Sequence, residues 1–332
     1  MSFGWNRPMR LRSSKMSVAL ALSAAAPTSA SESVVDTGLA AGRKLASASA
    51  KRLERHLDRR RLGAPPARIG DALRDAHTTG WKQVDCAFAF STGRAGSKTL
   101  AALWALAPGV MAMHEPLPRQ IQVSSSAWLD PTAPGLQTTV YAARDDLIAD
   151  AWRRGLLWAE TNNRLTSLGP ALAAAFPAAR FVHLWRNPEP FIRSGLGRDW
   201  YSGHNWDFAR WEPRPDDPVA EIWPMLPSLD RIAWLWAATN EFITDFAVEN
   251  PQRVMTLGAD AMLAGETDAI TGIYGVVGAE PPPRDMVLRV LGKKINAGRG
   301  TAEALEPWFD GLAPPVRDLV GAVAHDLGAP VR

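Results

Sequence analysis

The chain has 332 residues, 46% of them hydrophobic and 21% charged, which is enough apolar material for a large core and excludes a wholly disordered protein. Its net charge of +3 is unevenly spread, because residues 1–62 hold 12 Lys/Arg against 4 Asp/Glu while residues 63–332 hold 25 against 30. The main body is therefore slightly acidic, which argues against nucleic acid as a partner and confines any anion binding to a local site.

Arg10, Arg12 and Lys15 precede an apolar stretch over 16–26 and a small-residue segment over 27–31, the outline of a short signal peptide. Ser17 and Ser23 weaken that apolar stretch, and the expectation is a cytoplasmic protein. No run approaches the roughly 20 apolar residues of a membrane span. Residues 39–62 place Ala46, Ala50, Leu53 and Leu57 at helical spacing with Arg and Lys on the other faces. This basic helix is either a solvated helix packed by one stripe or a contact for an anionic membrane or partner. Pro65 and Pro66 end it, so residues 1–70 are read as an N-terminal extension and 71–332 as one nucleotide-binding catalytic domain.

Within that domain, 84–91 is apolar enough for a buried strand that contains the single cysteine, Cys86, a structural thiol with no disulfide partner. A helix is predicted over 97–107, strands over 109–113 and 155–160, a helix over 167–176 that Pro177 stops, and a strand over 180–185. Pro188 suits the first turn of a helix reaching about 198. A long helix over 229–249, a strand over 253–257 and helices over 267–277, 302–309 and 315–327 follow. This alternation predicts an α/β, P-loop-like three-layer fold with a mostly parallel central sheet flanked by helices. Residues 200–228 break the pattern with five prolines and four tryptophans, Trp200, Trp206, Trp211 and Trp223, and read either as a binding loop or lid or as a packed irregular insertion.

Between the first strand and its helix lies Ser91-Thr92-Gly93-Arg94-Ala95-Gly96-Ser97-Lys98-Thr99. Small residues let successive N–H groups turn inward, the helix N-terminus adds partial positive charge, and Arg94, Lys98, Ser97 and Thr99 add charge and hydroxyl donors, so the segment suits a phosphate. It approaches the nucleoside-triphosphatase P-loop, but Thr92 and Ser97 stand where both glycines belong. The strand over 181–185 also ends in Arg186 rather than in a magnesium-binding Asp.

These residues resemble the sulfotransferases that use 3′-phosphoadenosine 5′-phosphosulfate. Arg94-Ala95-Gly96-Ser97-Lys98-Thr99 is similar to their 5′-phosphosulfate element, and Phe181-Val182-His183-Leu184-Trp185-Arg186-Asn187-Pro188 with Ser194 is similar to their 3′-phosphate element, Asn187 replacing the usual Asp. The likeness spans about residues 84–280 and is nearest to bacterial members reading S-T-G-R-x-G-[ST], then H-E-P, here His114-Glu115-Pro116. It implies donor binding by Gly93, Arg94, Ala95, Gly96, Ser97, Lys98, Thr99, Arg186 and Ser194. Arg299, in the basic stretch 293–299, fits loosely the family's C-terminal loop over the nucleotide. It also implies no metal requirement, and a sulfuryl acceptor bearing a hydroxyl or amine.

Arg94 and Lys98 are candidates to neutralise the leaving phosphate. Glu115 follows the second predicted strand and is the candidate base, with His114 competing for the role and Glu160, beside Asn162 and Asn163, ranking behind both. Because adjacent side chains of a strand diverge, one of His114 and Glu115 is expected to face the site. A small-molecule kinase with a degenerate P-loop and a non-catalytic nucleotide-binding protein are the alternatives to sulfuryl transfer.

Overall fold

A computed structural model of the protein describes residues 84–293 and 308–331. The basic helix expected over 39–62, Arg299 and most of the helix expected over 302–309 lie outside the described residues. In chain order these form β1 (Cys86–Phe90), α1 (Ser97–Trp104), β2 (Val110–His114), α2 (Ile121–Leu129), α3 (Leu136–Arg153), β3 (Leu157–Thr161), α4 (Gly169–Ala175), β4 (Arg180–Trp185), α5 (Pro188–Leu196), α6 (Ser228–Glu249), β5 (Val254–Gly258), α7 (Ala259–Ala264), α8 (Thr267–Val276), α9 (Arg284–Leu291) and α10 (Pro314–Leu327).

Alternation along β1, which reads CAFAF, sets the centre of the fold. Cys86, Phe88 and Phe90 enter one apolar cluster with α3, α4 and α6, where Phe90 meets Phe181 of β4 at 5.2 Å between ring centroids. Burial there pushes the Cys86 thiol pKa up, as befits a structural cysteine. Ala87 and Ala89 enter a second cluster, and their small side chains leave room for Leu100, Leu103 and Trp104 of α1. The helices α8 and α9 complete that layer, with the Trp104 indole donating to Ile273 O at 2.8 Å. The five strands are all parallel in the order β2-β3-β1-β4-β5, the three-layer α/β arrangement expected. A third, tryptophan-rich cluster joins α5, α6, α10 and the 200–228 insertion. Among the described residues no helix is long and apolar enough to cross a membrane.

Glu160, ranked behind Glu115 and His114 as a candidate acid or acceptor-binding group, is fully buried. Arg144 of α3 donates to both of its carboxylate oxygens at 2.6 and 2.7 Å, and Asn162 Nδ2 donates at 3.0 Å. Its position on β3 turns the side chain toward α3, away from the rim. The Glu160→Gln substitution strands the Arg144 charge, and we expect a loss of about 3–5 kcal/mol in denaturant unfolding. A loss below about 1 kcal/mol would show that water or another group compensates the arginine.

Candidate active site

The chain leaves β1 through α1 toward β2 on one side, while β4 and β5 extend the sheet on the other. The carboxyl ends of β1 and β4 thus flank a topological switch point, where ligands of open parallel sheets bind. A cleft of about 1080 Å³ opens there.

The loop after β1 borders it. Thr166 anchors its start, accepting from Ser91 N at 3.3 Å and donating to Ser91 O at 3.2 Å, and Ser91 Oγ accepts from Gly93 N at 3.1 Å. Gly93, Arg94 and Gly96 all take left-handed backbone, with φ of 77°, 58° and 83°. At Gly93 a Cβ would add a tight 3.3 Å contact with Asn163 Nδ2 to the cost of the left-handed backbone. For Arg94 the conformation is unfavourable by about 1–3 kcal/mol, a cost that surrounding contacts must offset. Gly96 caps α1 without a side chain, and Ser97 and Lys98 at that N-terminus line the cleft.

The β4–α5 segment closes on this loop. Arg186 Nη1 donates to Arg94 O at 3.0 Å, while the Arg186 carbonyl accepts from the Trp236 indole at 2.7 Å. Ser194 Oγ accepts from Arg94 Nε at 3.2 Å and from Arg198 Nη1 at 2.8 Å. With both acceptor positions of that hydroxyl occupied, its own proton is left to be donated outward. Arg186 Nε is buried without a hydrogen-bond partner among the described residues. Burial, then Arg198 and Arg186, press the Arg94 pKa down, and Glu115 opposes them. Burial likewise lowers that of Arg186, with Asp260 acting against it and Arg193 with it. Guanidinium groups kept charged and crowded in this way have the chemistry that suits an anion.

At the end of β2, Glu115 has φ 47° and leaves the strand conformation. The alternation expected of adjacent side chains therefore stops at His114, and both His114 and Glu115 line the cleft. Glu115 N donates to Thr161 O at 3.0 Å, His114 Nδ1 hydrogen-bonds Thr161 Oγ1 at 2.9 Å, and His114 Nε2 lies 3.7 Å from Glu115 Oε1. The Glu115 side chain is 45% exposed and that of His114 23%.

The cleft thus gathers Gly93, Arg94, Gly96, Ser97, Lys98, Thr99, His114, Glu115, Arg186 and Ser194. Ala95 is fully buried, with its methyl group in the α1 cluster, and does not line it. Sequence reasoning missed Arg119, Arg164 and Arg198. The position of Arg198, four residues after Ser194 at the end of a predicted helix, was the available signal for one of them.

Two solved sulfotransferase domains are similar to the chain. That of the Synechococcus PCC 7002 olefin synthase aligns at 15% identity and a TM-score of 0.47, covering 75% of this chain and 96% of that domain. The sulfotransferase domain from the curacin biosynthetic pathway aligns at 12% identity and a TM-score of 0.47, covering 76% and 100%. No family model and no curated protein matches the chain.

The 200–228 insertion forms one wall of the cleft through Trp200, Trp206 and Trp211 and is packed rather than loose. The Trp128 and Trp211 rings stack 4.0 Å apart, and Trp128 Nε1 donates to Glu212 O at 2.7 Å. On the opposite wall, Gly96→Ala adds a Cβ 3.1 Å from Met262 Cε in a left-handed conformation. We expect denaturant unfolding to register a loss of about 1–2 kcal/mol from the backbone alone. Gly109→Ala, at φ +81° with nothing within 4 Å, isolates that backbone part. If Gly96→Ala cost less than Gly109→Ala, the loop would have to be softer than its hydrogen bonds indicate.

Proposed function

We propose that the protein is a cytoplasmic sulfotransferase that moves a sulfuryl group from 3′-phosphoadenosine 5′-phosphosulfate to a hydroxyl or amine of a carbohydrate, lipid or small-molecule acceptor. The carrying observation is the contact of Arg94 Nε with Ser194 Oγ, which joins the two phosphate-binding sequence elements at adjacent strand ends. The donor set suits that nucleotide: Arg186 and Ser194 both line the cleft and can meet a 3′-phosphate. The loop over 93–98 with Arg94 and Lys98 can meet the 5′-phosphosulfate.

In this reading Arg94 and Lys98 stabilise charge on the departing 5′-phosphate oxygen. Glu115 accepts the proton of the acceptor hydroxyl as its oxygen bonds to sulfur and the sulfur–phosphate oxygen bond breaks, releasing adenosine 3′,5′-bisphosphate. His114, held by Thr161, lies beside that carboxylate and supports its orientation.

Adenosine 3′,5′-bisphosphate is expected to raise the melting temperature without magnesium, and ATP to do so poorly. Arg186→Ala should cost about 1.5–3 kcal/mol of affinity for the bisphosphate and much less for adenosine 5′-phosphate. Strong magnesium-dependent stabilisation by ATP would replace the reading with a kinase, and equal losses for both nucleotides would remove Arg186 from the 3′-phosphate.

Glu115→Gln keeps the shape and removes the base. Single-turnover transfer should fall about 10²–10⁴-fold with nucleotide affinity within a few-fold of wild type, and His114→Gln should do less. A dead His114→Gln beside an active Glu115→Gln would give the histidine the role.

A further inference from the structure

Seven arginines and two lysines line the cleft, against one carboxylate, Glu115, among the described residues. Those tied to the proposed donor site, Arg94, Lys98, Arg186 and Arg198, sit on the β1 loop and the start of α1, at the end of β4, and just past α5. Arg164 does not. It follows β3, on the same side of β1 as Glu115, which follows β2.

Arg164 Nη1 donates to Ala209 O, and its Nε and Nη2 form no hydrogen bond or ion pair with the described residues. Neither nitrogen is sealed from solvent, and the residue lines the cleft. Burial and the neighbouring Arg210 push its pKa down to about 10, with Glu115 and Tyr201 opposing. Arg210 has its own carboxylate, Asp207, at 2.8 Å, and lies 4.0 Å over the Trp200 ring. A partly buried cation beside another cation, with Glu115 near but no carboxylate hydrogen-bonded to it, is costly unless a ligand supplies a bonded counter-charge. Its open donors form the planar fork that suits a carboxylate or sulfate.

We propose that Arg164 is the anchor of a second anion site, and that the sulfuryl acceptor is a hydroxyl compound carrying an acidic group, bound with that group on Arg164 and its hydroxyl at Glu115. The acceptor's part in this rests on the sulfotransferase reading; the anion site does not. Trp206, half-buried on the adjoining wall of the cleft, can contact the body of such a molecule.

The test uses the full chain saturated with adenosine 3′,5′-bisphosphate and matched probes: glucose, glucuronate and glucose 6-sulfate, and 4-hydroxyphenylacetamide with 4-hydroxyphenylacetate. In at least one set an acidic member should bind tenfold or more tightly than its neutral counterpart by ligand-observed NMR. Whether the carboxylate or the sulfate gains more tells which acid the site takes. Arg164→Gln should abolish the preference while nucleotide affinity stays within about twofold. In the wild-type protein the preferred acid should also shield Arg164 from phenylglyoxal, read by peptide mass spectrometry, which decides the matter even if the variant does not fold. Absence of any acid preference, a preference that survives Arg164→Gln, or an unshielded Arg164 would each overturn the inference. Should adenosine 3′,5′-bisphosphate not bind, the sulfotransferase reading falls, and the same probes on the nucleotide-free protein still decide the anion site.

Discussion

Like charges held together at the carboxyl ends of β1 and β4 are the constraint that the rest of this structure answers. Two unit charges 4 Å apart repel by about 4 kcal/mol at an effective dielectric constant near 20. Arg94, Arg186 and Arg198 converge on one serine and one backbone carbonyl, so the scaffold must hold them against that repulsion. It does so by tying each to neutral acceptors and by fixing the backbone around them. The Trp236 indole holds the Arg186 carbonyl, and Thr166 holds the start of the loop that carries Arg94.

The tryptophan-rich insertion serves the same end from the other wall. Its polar side chains grip rings of the neighbouring helices, with Asp217 accepting from Trp234 Nε1 of α6 at 3.0 Å and Arg214 lying 4.0 Å over Trp128 of α2 while donating to the Trp128 carbonyl at 2.8 Å. Such contacts combine burial with directional bonds, so the segment can be irregular in backbone and still fixed in place. That placement brings Arg210 and Ala209 to the cleft and gives Arg164 its single backbone acceptor.

The parts of the fold legible in the sequence were those with strong local periodicity. The alternation of CAFAF and the apolar run of β4 marked the two central strands, and the loop chemistry between β1 and α1 marked a segment that lines the cleft. The helices α2 and α3 were not read, because Thr138, Thr139 and the buried Arg144 interrupt the apolar stripe; only the long-range partner Glu160 makes a charge tolerable there. Glu160 was ranked as a candidate acid for the same reason, its partner Arg144 lying 16 residues away on an unread helix. His114 and Glu115 were expected to diverge, and the strand ends between them instead, which no spacing rule shows. Arg164 was invisible because only the folded geometry shows that no carboxylate hydrogen-bonds its guanidinium.

The uneven distribution of charge has a kinetic side. Residues 63–332 carry more acids than bases, yet the cleft within them holds nine cations and one carboxylate. An anion approaching such a body meets little attraction until it nears the mouth, where low-dielectric walls focus the field and draw it inward. With a Debye length of about 8 Å at physiological ionic strength, this guidance acts only over the last stretch of the encounter. Entry of an anion into such a cleft would accordingly be a salt-sensitive rate, and the same field would slow its escape.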